Sequence, residues 1–484
     1  MLGNNQIMET TIIGRKEEQA ILRKTLDSSQ PEMVAVLGRR RVGKTFLIQS
    51  VFKDRIDFEI TGTQNATKEE QLINFSYEIS KIAQSPLPLQ TPNNWMEAFI
   101  LLIKLLEQQQ TDKKQVVFFD EVPWLSTVKS GFLRALGFFW NSWAVKQNIV
   151  VVICGSATSW MIQKVVNHAG GLHNRITQRI HLSPFTLKET EAYLTSHQVY
   201  LDRYQTTQIY MAMGGIPHYL NAIEPGKSAA QNIEQICFSK NGLLKHEFFR
   251  LYPSLFSNAE NHIILIKALA TSRQGLTRLK LVDRSKIANG GGLTKILEEL
   301  EYSGFISSYY PFNKKKKEKL YRLTDEYSLF YLQFIEDKVH EGDDIWLRLS
   351  ETQQYKTWSG YAFENICLKH IPQIKKALGI TGVYSLSSSF YKKGTTTEKG
   401  TQIDLLIDRN DHVINLFEIK FYNQTFSIDK QYAKLLRDKQ FVFKETTKTK
   451  KQLNWTIIAT FGLKHNEHSL GLIHHVIMLD ELFD

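Results

Sequence analysis

The stretch that most constrains this chain is Gly38-Arg39-Arg40-Arg41-Val42-Gly43-Lys44-Thr45, which satisfies G-x-x-x-x-G-K-[ST] at every fixed position. Met33 to Leu37 ahead of it reads as a short buried strand, and Phe46 to Phe52 behind it as the first turns of a helix. That order lets the loop's backbone N–H groups and the helix N-terminus converge on phosphate oxygens. Gly38 and Gly43 permit the tight turn, Lys44 reaches the terminal phosphates, and Thr45 offers a hydroxyl to Mg²⁺. An α/β fold built on a parallel sheet is therefore expected, with a nucleoside triphosphate at its strand ends.

At 484 residues the chain exceeds one hydrophobic core, and about 100–200 residues per domain predicts three or four domains. A hydrophobic content of 42% with 23% charged residues fits globular rather than disordered protein. No apolar run reaches the ~18 residues of a membrane span, and no charged-then-apolar leader opens the sequence. A cytoplasmic protein without a membrane partner is expected. Cys154, Cys237 and Cys367 are far apart in apolar surroundings, which reads as core rather than disulfide or zinc. The net charge of +11 is compatible with a nucleic-acid partner, but it is spread along the chain and marks no single basic module.

Within residues 1–185, read as the ATPase core, three further stretches matter. Gly14 and Arg15 precede an amphipathic helix, either beside the nucleotide base or as the start of an ordinary first helix. Gln115 to Glu121 is an apolar strand ending in two carboxylates and looks like a Walker B strand. Asp120 is expected to hold Mg²⁺, through its waters, and Glu121 to orient or deprotonate the attacking water; two exposed loop carboxylates are the plainer reading. Asn148 to Ser156 is a near-continuous apolar run ending in a group that either senses the γ-phosphate or caps the next helix. Between Ser85 and Pro92 three prolines interrupt regular structure.

These motifs, with Pro123-Trp124, Gly155-Ser156, Arg175 and Gly214-Gly215-Ile216-Pro217-His218-Tyr219-Leu220, resemble the bacterial and archaeal AAA+-related ATPases of the STAND-like branch over the first half of the chain. The resemblance implies ATP hydrolysis, a helical lid over residues 186–255, and a homo-oligomer or partner protein. It also gives Arg175 a γ-phosphate contact in cis or in trans. Leu172-His173-Asn174-Arg175 departs from the Leu-Tyr-Gly-Arg common there, so a plain surface arginine stays open.

Residues 256–335 have the outline of a winged helix. Ile263 to Thr271 is the first helix, Leu276 to Ile287 a turn region, and Leu293, Ile296, Leu297 and Leu300 one face of the third helix. Gly304 to Tyr309 and Lys319 to Leu323 bracket a tip of four lysines, 314–317, which either reaches phosphates or is merely solvated. Glu298, Glu299 and Glu301 share the third helix's polar side with Lys295 and argue against base reading by it.

Residues 345–484 suggest a second chemical centre. Tyr361 to Cys367 starts a helix carrying Glu364; Thr401 to Asp408 and Val413 to Phe421 form a hairpin that brings Asp404 within a strand step of Glu418, with Lys420 on the same face. Two converging carboxylates suit Mg²⁺, and a neighbouring lysine suits a developing phosphate charge. The pattern resembles the PD-(D/E)XK nuclease superfamily. That resemblance implies Glu364 as the helix acid, Asp404 and Glu418 as metal ligands, Lys420 as the catalytic cation, and Gln431 and Tyr432 as accessory residues. The expected function is an ATPase whose nucleotide state controls DNA cleavage; the alternative is an ATP-gated switch or DNA-binding scaffold with a non-catalytic nuclease fold.

Overall fold

The computed structural model describes residues 12–85, 89–109, 112–166, 172, 174–256, 258–314, 318–336, 344–394 and 400–484. Much of the expected break between Ser85 and Pro92, and lysines 315–317 of the four-lysine tip, lie outside these residues. The chain divides into two compact units, Met1–Ser183 and Pro184–Asp484.

The first unit begins with α1 (Lys16–Asp27), β1 (Glu32–Leu37), α2 (Lys44–Phe52), β2 (Ile56–Thr61) and α3 (Lys68–Ile82). It continues with α4 (Trp95–Gln108), β3 (Gln115–Asp120), α5 (Val122–Leu125), α6 (Phe132–Ser142), β4 (Ile149–Gly155), α7 (Thr158–Met161) and β5 (Gln178–His181). The five strands form one parallel sheet in the order β2-β3-β4-β1-β5. Every residue of β4 is buried, as a strand covered on both faces must be. One side packs an aromatic layer in which Trp95 meets Phe132 edge-on at 4.8 Å and Phe99 lies 5.5 Å from Phe119. Capping fixes the helix starts: the Thr67 side chain accepts from the Glu70 N–H while Glu70 reaches back to the Thr67 N–H.

The second unit opens with helices α8 (Leu187–Ser196), α9 (Arg203–Met213), α10 (Pro217–Leu220), α11 (Ala229–Ile233) and α12 (Phe248–Leu251). At the Gly214-Gly215 turn the Phe185 N–H donates to the Gly215 carbonyl at 2.7 Å. A Cβ on Gly215 would stand 2.1 Å from the Phe185 oxygen, so the approach requires glycine.

Next come α13 (Ala259–Ala270), β6 (Leu276–Thr277), α14 (Arg278–Ser285), α15 (Gly291–Tyr302), β7 (Ile306–Tyr309) and β8 (Leu320–Leu323), the strands pairing antiparallel in the order β6-β8-β7. The stretch expected to be a turn region is thus a helix, α14, started by Thr277, whose side chain accepts from the Lys280 N–H. The acids of α15 also differ from expectation. Glu299 pairs with His262 at 2.8 Å and Lys295 at 3.8 Å, and Glu301 with Lys319 at 3.7 Å, so only Glu298 of the three is fully exposed.

Then follow α16 (Glu326–Phe334), α17 (Ile345–Leu349), α18 (Gln353–Lys369) and α19 (Ile371–Ala377). After them come β9 (Ser385–Lys392), β10 (Thr401–Arg409), β11 (Val413–Lys420), β12 (Phe426–Ser427), α20 (Lys430–Thr447), β13 (Gln452–Ala459), β14 (Leu463–Lys464) and β15 (Ile473–Met478). α18 starts at Gln353 rather than Tyr361, because Thr352 supplies the cap and Tyr355 and Trp358 bury an earlier turn. The main sheet runs β15-β13-β11-β10-β9, antiparallel among β9, β10 and β11 and parallel from β11 onward. All three cysteines are free and buried. Among the described residues no helix is long and apolar enough to cross a membrane.

Candidate functional site

The carboxyl ends of β1, β3 and β4 bring one polar cluster together. Beyond Leu37, Gly38 adopts φ 145° where a Cβ would lie 2.4 Å from the Leu182 oxygen. Arg41 and Gly43, at φ 73° and 90°, curl the loop back. The buried Lys44 ammonium donates to the Arg39 carbonyl at 3.0 Å, inside the loop. Thr45 Oγ1 donates to Asp120 Oδ2 at 2.7 Å, and Asp120 Oδ1 accepts from the Glu121 N–H at 2.9 Å. A hydroxyl and a carboxylate already sharing one hydrogen bond are a donor set that fits Mg²⁺ beside a triphosphate.

Ser156 does not cap the helix after β4. The N-cap of α7 is Ala157 and makes no side-chain bond. Instead the Ser156 N–H and Oγ both donate to Glu121 Oε2, at 3.0 and 2.9 Å. Gly14 and Arg15 take positive φ at the start of α1, where the buried Arg15 guanidinium donates to the Ser183 carbonyl and lies 4.0 Å from Glu18. Arg175 stands apart from this cluster. It is exposed on the turn before β5, and the register Val34↔Gln178 to Leu37↔His181 sets it beyond the amino end of the sheet. From Met33, which pairs with Thr177, to Leu37 is about 13 Å of strand. An arginine side chain is too short for that span, so of the two contacts expected of Arg175, in cis or in trans, the cis one is out of its reach in this structure.

In the second unit β10 and β11 pair Leu405 with Phe417, which sets Asp404 and Glu418 opposite one another at the next step. The pairing of β10 with β9 is irregular between Ile403 and Leu406, so Asp404 sits at a bulge. Glu418 is held from three sides: Lys420 at 2.9 Å, Lys439 at 2.9 Å and the Tyr432 hydroxyl. Burial alone would push Glu418 up, but the two ammonium groups and the hydroxyl outweigh it and hold the carboxyl at about 2. Glu364 on α18 is pushed up to about 8, by burial first and then by the charge of Asp404, against the opposing Arg322. Arg322, from β8, lies 3.8 Å from Glu364 and 5.1 Å from the Tyr361 ring centre; it is buried, and its Nε and Nη2 have no hydrogen-bond partner among the described residues.

Glu364 and Asp404 line a cleft of about 1100 Å³, with Arg273, Lys392, Lys439 and Phe441 on its walls. Among the described residues no three His, Cys, Asp or Glu side chains gather to hold a metal. A cation here falls to Asp404 and Glu418. A carboxylate offers about four lone-pair sites, of which three donors occupy Glu418, so the pair fits a cation most readily once Lys439 or Tyr432 gives way. Lys439 was not foreseen, although it follows Tyr432 by two helical turns and so shares its face. Arg322 had no such signal, because it arrives from a different sheet.

Residues 13–223 match the family model of an ATPase domain found predominantly in Archaea. An uncharacterized protein of Methanocaldococcus jannaschii is 23% identical over 434 residues, 88% of this chain and 90% of its own. Among solved structures, the Walker-type ATPase of Pyrococcus abyssi covers 66% of this chain and 96% of its own, with 18% identity and a TM-score of 0.49. The Aeropyrum pernix ORC2 protein covers 67% and 95%, with 15% identity and a TM-score of 0.41. A STAND protein with a tetratricopeptide repeat sensor from Pyrococcus horikoshii covers 77% and 52%, with 17% identity and a TM-score of 0.30. The matched span contains the phosphate loop, Asp120, Glu121 and Ser156, and residues 13–223 are a P-loop ATPase domain.

Proposed function

We propose that ATP hydrolysis in residues 1–185 controls a Mg²⁺-dependent DNA-cleaving site in residues 345–484, acting through a helical lid (186–255) and a winged-helix domain (256–335) of a STAND-like chain. At the nucleotide, Lys44 and the loop N–H groups hold the phosphates, and Thr45 and Asp120 would hold Mg²⁺. Glu121 keeps one oxygen on Ser156 and leaves the other to accept a proton from the attacking water. Through that pair Ser156 reports the state of the γ-phosphate. Arg175, exposed and remote in its own unit, suits contact in trans, which needs a homo-oligomer or partner.

The observation that supports the cleaving reading is the placing of Asp404 opposite Glu418, with Lys420 paired to Glu418 and Glu364 sharing a cleft with Asp404. A bound Mg²⁺ supplies an activated water and neutralises phosphate charge. Lys420 then faces the phosphate, Tyr432 and Lys439 fix the Glu418 carboxylate, and Glu364 holds a proton beside Asp404. The test compares wild type, Lys44→Ala and Glu418→Ala for cutting of single- and double-stranded DNA with Mg²⁺ or Mn²⁺, with and without ATP. Glu418→Ala should abolish cutting and Lys44→Ala should remove its dependence on ATP; no cutting by the wild type under any of these conditions sinks the reading.

One observation favours a scaffold instead. Glu418 already has its charge satisfied by two lysines, as a structural ion-pair cluster would. Calorimetric titration of the full chain with Mn²⁺ separates the two, since a scaffold shows no site lost on Asp404→Ala.

A further inference from the structure

The cleft in the second unit has a wall, α20, whose outer surface is unlike that of any other helix considered as a nucleic-acid contact. Lys430, Lys434, Arg437, Phe441, Lys444 and Lys448 recur at steps of four and three, and all six are exposed. At 100° per residue the five within the helix fall within about 80° of its circumference, and at 1.5 Å per residue they span about 21 Å, with Lys448 at the left-handed C-cap beyond them. The side chains of Lys430, Lys434, Arg437 and Lys444 make no hydrogen bond or ion pair within 4.0 Å among the described residues, and Lys448 pairs with Glu445 at 2.9 Å. Phe441, 67% exposed, breaks the row of cations, and it also lines the cleft that holds Glu364 and Asp404.

The same cannot be said of the helices between residues 256 and 335. On α14, Arg278 is bound to Asn289 and the Gly290 carbonyl and Arg284 to Thr271, and Lys286, just past its end, lies 3.4 Å from Asp283, which leaves Lys280 as one exposed cation rather than a row. On α15 the exposed side carries Glu298 and its Lys295 lies 3.8 Å from Glu299, whereas on α20 the acids Asp438 and Glu445 stand beside the basic row, on the side that lines the cleft. Cations without partners gain most from a polyanion, because they give up no ion pair to bind it. A straight basic row with one aromatic group matches a sugar-phosphate backbone with a base able to stack. A lipid surface would ask for a broad apolar face instead, and here one ring stands among five cations.

We infer that the outer face of α20 is the track on which a nucleic-acid strand lies, delivering it past Phe441 to the cleft. The inference rests on the cleaving reading for its purpose, but not for its measurement. Tyr432 and Lys439, on the opposite face of α20, hold Glu418. One helix therefore joins the backbone contact to the acidic site.

Binding is measured on the full chain in EDTA, where metal-dependent cutting is silent, by fluorescence anisotropy of labelled single- and double-stranded DNA of about 30 nucleotides over roughly 50–200 mM NaCl. The set Lys430→Gln, Lys434→Gln, Arg437→Gln and Lys444→Gln should lower affinity at least about tenfold and reduce the slope of log K against log salt by about 3, at 0.7–0.9 per lost phosphate contact. Phe441→Ala should weaken single strands about fivefold or more, leaving the salt slope unchanged. Thermal melting checks that the variants fold. Unchanged DNA affinity in the four-residue set overturns the inference, as does an equal loss from Lys280→Gln with Arg284→Gln on α14. Vesicles of anionic phospholipid that bind the wild type, and lose that binding in the set while DNA does not, overturn it in favour of a membrane. If the wild type with Mg²⁺ cuts no DNA yet the set still loses binding in EDTA, the cleaving reading fails and the track stands.

Discussion

Lys44 is buried by its own loop, its ammonium turned inward on the Arg39 carbonyl, which places the charge where phosphates bind. Lys44→Ala should cut ATP turnover by about 100-fold or more, since a positioned cation at a transferring phosphoryl group is among the larger contributions to rate; steady-state phosphate release measures it. Glu364 gives a pH signature. Its folded pKa of about 8 lies above the ordinary 4.5, so the folded chain keeps a proton that the unfolded chain has lost. Its contribution is fully present below pH 4.5 and is lost as pH rises toward 8, at no more than about 1.4 kcal/mol per pH unit. Glu364→Gln should flatten that decline in thermal melts between pH 5 and 8 relative to wild type. Arg322→Met removes a cation that opposes the rise of Glu364, so the Glu364 carboxyl should hold its proton to still higher pH, seen as a shift of the pH-dependent melting to higher pH than in wild type. Glu418 and Lys420 share a face by strand period and Asp404 comes beside them by the hairpin register, whereas the hold of Lys439 on Glu418 depends on where α20 packs.

Elements with a strong local signal were the legible ones. β1, β3 and β4 are unbroken apolar runs, and parallel strands covered on both faces can be little else. α14 was read as turn because its polar surface hides a cap at Thr277 and leaves Leu281 as its buried residue. Thr67→Ala on α3 should lower stability by about 1 kcal/mol by removing a capping box, seen as a lower melting temperature. Between elements, His370 closes α18 and joins it to α8: its Nδ1–H donates to the Ile366 carbonyl at 2.8 Å and its Nε2 accepts from the Leu187 N–H at 3.1 Å. Burial pushes His370 down to about 4 from 6.5, so the ring is neutral in the fold. Its contribution is complete above pH 6.5 and is lost as pH falls toward 4, because the protonated ring cannot accept from Leu187. His370→Gln should lessen that acid sensitivity in melts across the same range.

On the scale of the whole molecule, the nucleotide site and the proposed cleaving site lie in different units, whose boundary falls between Ser183 and Pro184. EDTA should remove ATP turnover and any DNA cutting together, whereas Glu418→Ala should remove cutting alone; assaying both activities in one preparation shows whether the centres are separable. An ATP-dependent change in cutting that disappears in Lys44→Ala is the expected sign of coupling.

The phosphate loop could be read before any folding was known, because its chemistry needs fixed residues at fixed spacing within eight positions. A two-residue period likewise places Glu418 and Lys420 on one face without any long-range pairing. Pairings across long separations could not be read. Ser156 reaches Glu121 rather than a helix start, Arg175 falls at the wrong end of its strand, and Arg322 enters from another sheet to meet Glu364. Those outcomes follow from strand order and register, which are set by how whole surfaces pack. The basic row on α20 was in the sequence throughout, but only burial of the opposite face showed which of its lysines remain free for a partner.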